Sequence, residues 1–115
     1  MKRLAIKMDL ITDSKTIEIA TKVILFAGNA RDLVAKALNA AYDDDFVAAK
    51  NFIAKAEEEV RSAHRIQTEI IQSEARGESV NLSLLLTHAQ DTLMVSLSEI
   101  NMAKQMLRMY QKYSK

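Results

Sequence analysis

Apolar residues recur at helical spacing in three long stretches of this sequence, over residues 13–41, 45–76 and 81–113. Within each stretch they return every three or four positions, which is the period of one face of an α-helix. The pattern therefore predicts three helices over these ranges, with residues 1–12 left as an N-terminal extension. Because only short breaks separate the stretches, consecutive helices must lie side by side in opposite directions. We expect an all-α fold, an antiparallel three-helix bundle that forms a single domain over residues 1–115.

The two breaks contain signals that end one helix and begin the next. Asp43, Asp44 and Asp45 supply carboxylates that accept hydrogen bonds from the first N–H groups of a helix and interact favourably with its dipole. Gly77 follows the last periodic residue of the second stretch, where glycine commonly adopts the left-handed conformation that terminates a helix. We therefore interpret the acidic triplet as a helix cap rather than as a binding site.

The third stretch carries two apolar faces on nearly opposite sides of one helix. The first face consists of Leu82, Leu86, Ala89, Leu93, Leu97, Ile100 and Leu107 and is expected to pack on the other two helices. The opposite face, called here the second stripe, consists of Leu84, Val95, Met102, Met106 and Met109. A helix that is apolar on two opposed sides is normally packed on both. The second stripe therefore predicts a homo-oligomer that assembles through the third helix.

Two polar residues, His88 and Asp91, interrupt the second stripe. They are three residues apart, so they are neighbours on one helical face, where buried polar groups are costly. One interpretation is structural, with the aspartate hydrogen-bonded to the histidine and fixing the register of an oligomer. The other is functional, because imidazole offers a neutral nucleophilic nitrogen or carries a proton. The spacing alone leaves both open, and it falls short of the motifs of helical metalloenzymes. His64, beside Ala63, is expected to be a partly buried structural histidine.

Composition narrows the class of protein further. The 115 residues include two glycines, no proline and no cysteine, which fits an all-α chain and excludes disulfides, thiolate nucleophiles and sulfur-ligated zinc. A net charge of +1 with 5% aromatic residues argues against nucleic-acid binding. No apolar run approaches the length of a membrane span, and Lys7 and Asp9 interrupt the N-terminal run before a signal peptide is complete. We expect a cytoplasmic protein with no membrane insertion.

The segment from Leu84 to Met94 reads LLLTHAQDTLM and resembles the phospho-acceptor motif of the lactose/cellobiose enzyme IIA proteins of the bacterial sugar phosphotransferase system. FAGNARDLVAKALNAA, DFVAAKNFIAKA and AHRIQTEII also resemble segments of that family in the same order, so the resemblance extends from about Ser14 to the C terminus. It implies a homotrimer whose His88 takes phosphate from the histidine-containing phosphocarrier protein and gives it to a cysteine of enzyme IIB. The sugar served would be a β-linked disaccharide, with the cellobiose/chitobiose branch somewhat nearer than lactose.

The resemblance also implies roles for the neighbours of His88. Asp91 would lie at the trimer axis and share a structural metal ion. Mg²⁺ suits a site of carboxylates and waters best, because it is a hard octahedral cation. Thr92 stands where the family often has a second histidine, and its hydroxyl would replace part of the support given to the phosphate. Gln90 matches the motif, and its amide would donate a hydrogen bond to a phosphoryl oxygen or to a neighbouring subunit.

Two alternative functions remain open on the sequence. A non-catalytic helical scaffold would use His88 and Asp91 only to set register, and a degenerate family member would assemble without carrying phosphate. Thr92 is the one departure that favours the latter. Gly28 and Ala30, in FAGNARD, also have two interpretations: they permit another backbone or ring to approach closely, or they serve tight helix packing.

Overall fold

The computed structural model of the chain describes residues 14–77 and 84–114. These contain three helices, α1 (Ser14–Tyr42), α2 (Phe46–Ala75) and α3 (Leu84–Tyr113), and no strand. The all-helical fold is thus confirmed, and the helix ends lie within one residue of prediction wherever the predicted end is described. The N-terminal extension, Leu82 and the predicted start of the third helix lie outside the described residues. None of the described helices is long and apolar enough to cross a membrane.

The helices alternate in direction along an elongated bundle of 68 × 27 × 16 Å. Lys104 lies 3.3 Å from the carboxylate of Glu57, and the ring of Tyr110 lies 5.6 Å from that of Phe46. Residue numbers therefore fall along α2 as they rise along α3, so these two helices are antiparallel. The hydroxyl of Ser96 lies 3.1 Å from the carbonyl oxygen of Ala27, and the guanidinium of Arg31 contacts Glu99 at 3.0 Å. Because residue numbers increase together in these two contacts, α1 and α3 run parallel, at an offset of nearly seventy residues.

Small side chains form the core face of α1. It repeats in steps of three and four and consists of Ala20, Val23, Ala27, Ala30, Val34, Ala37 and Ala41, all buried. Alanine at these positions lets the helices approach closely. The core face of α2 begins with the partly covered Phe46 and continues through six buried residues, Ala49, Ile53, Ala56, Val60, Ala63 and Ile70. Ile17, an apolar residue in the first turn of α1, lies outside this face and is 42% exposed.

The turn between α1 and α2 confirms that the acidic triplet caps helices. Asp44 adopts a left-handed conformation with φ of 61°, and the N–H of Asp45 donates to the carbonyl of Ala40 at 2.9 Å, which closes α1. The Asp45 carboxylate then accepts a hydrogen bond from the N–H of Ala48 at 3.1 Å and so begins α2. Gly77, with φ of 83°, takes the predicted left-handed conformation after α2.

A tyrosine at the end of α3 joins that helix to the same turn. The hydroxyl of Tyr110 donates to the Asp44 carboxylate at 3.1 Å, and its ring lies 5.6 Å from that of Phe46. This hydrogen bond raises the pKa of Tyr110 above 10.0, with smaller contributions from desolvation and from the charge of Asp44. The contact therefore depends on a protonated phenol.

We expect Asp44→Asn to lower the pKa of Tyr110 toward 10.0, because the charged acceptor is lost while asparagine still tolerates the left-handed conformation. Since the folded pKa lies above the unfolded value, the contact stabilises the bundle below about pH 10 and is lost as the pH rises through the folded pKa. Tyrosinate absorbance measured against pH tests this, with Tyr110→Phe identifying which transition belongs to Tyr110. An unchanged titration in Asp44→Asn would contradict it.

Candidate functional site

The second stripe of α3 is exposed in the single chain. Its five members have exposed fractions between 45% and 88%: Leu84, Val95, Met102, Met106 and Met109. The opposite side of the helix is buried against the bundle and consists of Leu86, Ala89, Leu93, Ser96, Ile100, Ala103 and Leu107. The two-faced character of this helix is therefore confirmed. An exposed apolar face of this length is typical of a surface that meets another molecule.

His88 and Asp91 both lie exposed on this face, one helical turn apart. Within the described parts of the chain, no hydrogen bond or ion pair joins the imidazole to the carboxylate or to any other side chain. The structural interpretation of a histidine held by its aspartate is thus not realised inside one chain. Both ring nitrogens remain available to a partner, which is the condition a nucleophile needs.

Thr92 and Gln90 occupy different positions relative to His88. The Thr92 hydroxyl donates to the backbone carbonyl of His88 at 2.8 Å, so in this rotamer its proton is not offered to a phosphate. Its oxygen keeps lone pairs and serves as an acceptor. Gln90 is half-buried and projects about 200° around the helix from His88. Its amide would therefore reach a phosphate only on a neighbouring copy, and both roles stay predictions.

A groove between α1 and α3 borders the second stripe. It has a volume of about 580 Å³ and is lined by residues that include Gly28, Asp32, Ala35, Glu99, Met102 and Met106. A Cβ atom added to Gly28 would meet nothing within 4 Å, so tight packing inside the chain is the wrong explanation for this glycine. Ala30, in contrast, is fully buried in the core, which confirms the packing interpretation there.

Sequence reasoning missed Ser96, the one buried polar residue among those described. Its hydroxyl lies 2.8 Å from the carbonyl of Thr92 and 3.1 Å from that of Ala27, so its single proton is shared between α3 and α1. The signal was present in the sequence, because Ser96 falls midway between Ala89 and Ala103 at seven-residue spacing. A polar residue at such a position of a core face fixes how two helices meet.

The other histidine departs from its prediction. His64 is exposed in the described chain, not partly buried, and its Nδ1 lies 3.2 Å from the Thr68 hydroxyl. The core face of α2 passes through Ala63 and Ile70, and His64 lies about 100° around the helix from Ala63. The ring therefore falls outside the core, and nothing connects it with His88.

A metal site is not formed by one copy of the described chain. Residues 14–77 and 84–114 contain no group of three or more histidine, cysteine, aspartate or glutamate side chains placed to hold an ion. Asp91 contributes one exposed carboxylate on the second stripe. Oxygen is the donor that Mg²⁺ prefers, so Asp91 fits such a site only if carboxylates of other copies join it.

Comparison with known proteins places the candidate site within a described family. The sequence model of "PTS system, Lactose/Cellobiose specific IIA subunit" matches residues 18–111, which include His88 and Asp91. The chain is 39% identical over 95 residues to the lichenan-specific phosphotransferase enzyme IIA component of Bacillus subtilis (strain 168). That match spans 83% of this chain and 86% of the relative.

Solved structures resemble the whole bundle. The cellobiose-specific enzyme IIA of Bacillus anthracis superimposes with a TM-score of 0.80 at 41% identity, over 83% of this chain and 87% of that one. The chitobiose IIA of Escherichia coli, solved in solution in complex with HPr, gives a TM-score of 0.73 at 32% identity. It covers 83% of this chain and 92% of the other.

Proposed function

Because this chain belongs to the lactose/cellobiose-specific IIA family of the sugar phosphotransferase system, whose members are phosphotransferase components, we propose that it carries phosphate on His88. The observation that carries this proposal is the exposed imidazole, free of side-chain partners in the described chain, on an apolar helix face within the matched range. The phosphate would come from the histidine-containing phosphocarrier protein, HPr, and go to a cysteine of enzyme IIB.

Each transfer is a displacement at phosphorus. A neutral ring nitrogen of His88 attacks the phosphoryl group of the donor's phosphohistidine, and the new N–P bond forms as the old one breaks. A cysteine thiolate of enzyme IIB then attacks the same phosphorus, so that an S–P bond forms and the imidazole of His88 leaves. Apolar side chains of the second stripe, such as Val95 and Leu84, exclude water from the labile N–P bond once a partner docks.

In this scheme the sugar is bound and phosphorylated by other components of the system. His88 exchanges phosphate only with proteins in this scheme, so the bundle needs no sugar pocket. The relatives named above are specific for lichenan, cellobiose and chitobiose, which supports a β-linked disaccharide or related glucan fragment. The complex of the chitobiose IIA with HPr supports HPr as the donor for this chain.

Phosphoryl transfer tests the proposal directly. The purified chain is incubated with phosphoenolpyruvate and the general phosphotransferase proteins, and its intact mass is followed. A gain of about 80 Da that is lost in acid identifies a phosphohistidine. Absence of any gain would favour the scaffold or the degenerate family member instead.

We further propose that three copies assemble around a common axis through the second stripes of parallel α3 helices. The support is the exposure of five large apolar residues on one helix face, since a face of this kind is stable in water only when covered. In such an assembly the three Asp91 carboxylates meet near the axis. At about 4 Å apart and an effective dielectric near 20, they repel by roughly 4 kcal/mol per pair, so a cation such as Mg²⁺ or protonation is required.

The variant Asp91→Leu tests metal binding and trimer assembly separately. We expect the variant to remain trimeric and to lose any dependence of its thermal midpoint on Mg²⁺, because three repelling carboxylates are replaced by apolar side chains. Sedimentation gives the oligomeric state, and thermal melts with Mg²⁺ or a chelator give the metal dependence. Dissociation of Asp91→Leu into monomers would show instead that the carboxylate ring drives assembly.

A further inference from the structure

Gly28 lacks the usual reasons for a glycine. It lies in the middle of α1, where glycine is the poorest helix former after proline, and it is not among the positive-φ residues of the described chain. A Cβ atom at this position would meet nothing within 4 Å. Neither the backbone nor the packing of the described chain therefore demands it. Gly28 lines the groove between α1 and α3, and the empty space above it is part of that groove.

Met102 forms a ridge between this groove and a second depression. Met102 lines the groove together with Gly28, and it also lines a depression on the other side of α3. That second side, called here the far flank, includes Met94, Leu97, Ser98, Asn101, Met102 and Gln105. Met94 is 62% exposed and lies about 80° around the helix from Met102. One α3 therefore presents a groove on one side of the second stripe and an exposed methionine on the other.

We infer that the groove above Gly28 receives the far flank of a second copy of this chain, with the partner's Met94 directed at the space above the glycine. This inference rests on the assembly proposed above and specifies its interface. Rotational symmetry among parallel helices brings one side of each α3 against the opposite side of the next, so the two contacting surfaces must differ. The groove and the far flank are such a pair.

Position along the bundle agrees with this assignment. Because the Ser96 hydroxyl lies 3.1 Å from the Ala27 carbonyl, Gly28 is level with Leu97 of its own chain. Met94 is three residues from Leu97, about 4.5 Å along the helix, which a methionine side chain spans. In a ring of parallel copies, equivalent residues share one level. Met94 of the next copy therefore reaches the height of Gly28.

Charge also favours a second copy over a charged partner. The groove's Arg31 and Glu99 already pair with each other at 3.0 Å, and its remaining charged residue, Asp32, is an acceptor for the amide donors that the far flank carries. The polar residues of the far flank, Ser98, Asn101 and Gln105, are all neutral. The donor protein, in contrast, must dock at His88. That residue is nine positions from Leu97, which marks the level of Gly28, so His88 lies about 13 Å further along α3 than this part of the groove.

Crosslinking tests the contact cleanly, because the native chain has no cysteine. Gly28→Cys and Met94→Cys are made as separate proteins, mixed, allowed to exchange subunits and treated with a short bismaleimide. We expect a covalent dimer of twice 12.9 kDa from the mixture and little from either variant alone. Lys50→Cys, on the exposed side of α2, replaces Met94→Cys in the matched control and should give no product with Gly28→Cys.

Three outcomes would overturn the inference. Crosslinking of Gly28→Cys with itself would indicate a two-fold contact of groove with groove. Crosslinking of Gly28→Cys to added HPr but not to Met94→Cys would assign the groove to the donor. No product from the mixture, with sedimentation still showing a trimer, would place the groove outside the interface. None of these readouts uses phosphate, so a chain that assembles as inferred but stays unphosphorylated would refute the proposed carrier function alone.

Discussion

We expect replacement of His88 by alanine to abolish phosphate incorporation, so that the gain of about 80 Da expected for the unmodified sequence disappears entirely. The reason is chemical, because no other side chain near the second stripe offers a neutral nitrogen nucleophile to phosphorus. The ring is exposed and makes no side-chain contact within the described chain, so its removal leaves the bundle intact. Intact mass after incubation with phosphoenolpyruvate and the general phosphotransferase proteins measures the loss, and circular dichroism confirms the helical fold.

His64→Ala is the matched control, since His64 is the other histidine and is also exposed. It should accept phosphate at the rate of the unmodified chain. If His64→Ala loses phosphate while His88→Ala keeps it, the acceptor has been assigned to the wrong helix. Equal labelling of both variants would point to a residue that is not a histidine.

We expect replacement of Met102 by glutamate to convert the proposed trimer into monomers of 12.9 kDa. Met102 is the central residue of the second stripe and is 60% exposed in the single chain, so glutamate is readily accommodated before assembly. In a trimer the new carboxylates would be buried together near the axis, at a cost of several kcal/mol per ion. Each 1.4 kcal/mol weakens association tenfold, so assembly fails at micromolar concentrations. Sedimentation velocity measures the change.

Val47→Glu controls for the introduced charge, because Val47 is 74% exposed on α2 and is not part of the second stripe. It should assemble like the unmodified chain. A trimeric Met102→Glu would refute assembly through this face. A Met102→Glu monomer that still accepts phosphate on His88 would show that one copy suffices for the chemistry.

The helical periodicity of the sequence was sufficient to predict the bundle, because its core faces repeat in heptad-like steps. Periodicity does not explain Ile17, which is apolar and near helical spacing with the alanine face of α1 but is 42% exposed. The contact of Tyr110 with Asp44 joins residues 66 positions apart, and no local pattern contains it. Contacts of this kind depend on how the helices dock.

For the site, spacing, structure and family resemblance each supplied a different part of the assignment. Spacing alone put His88 and Asp91 on one face but did not decide between a structural pair and a nucleophile. The structure weakens the first alternative, because inside one chain the two side chains do not bond. The role of phosphate acceptor came from the resemblance of LLLTHAQDTLM to a family motif, which physical reasoning about spacing does not supply. Ser96 was overlooked because the core face was traced through apolar residues alone, although its seven-residue spacing from Ala89 and Ala103 places it on that face.

The alanine face of α1 has a consequence for the energetics of the whole molecule. This face buries little apolar area per residue, whereas the methionines of the second stripe, with far more surface, lie outside the core. Folding free energy is therefore distributed between the chain's interior and whatever covers its exterior. Every molecule that docks on α3 adds to the stability of the fold by mass action, and dilution removes that contribution. Binding at α3 and folding of this bundle are therefore linked equilibria.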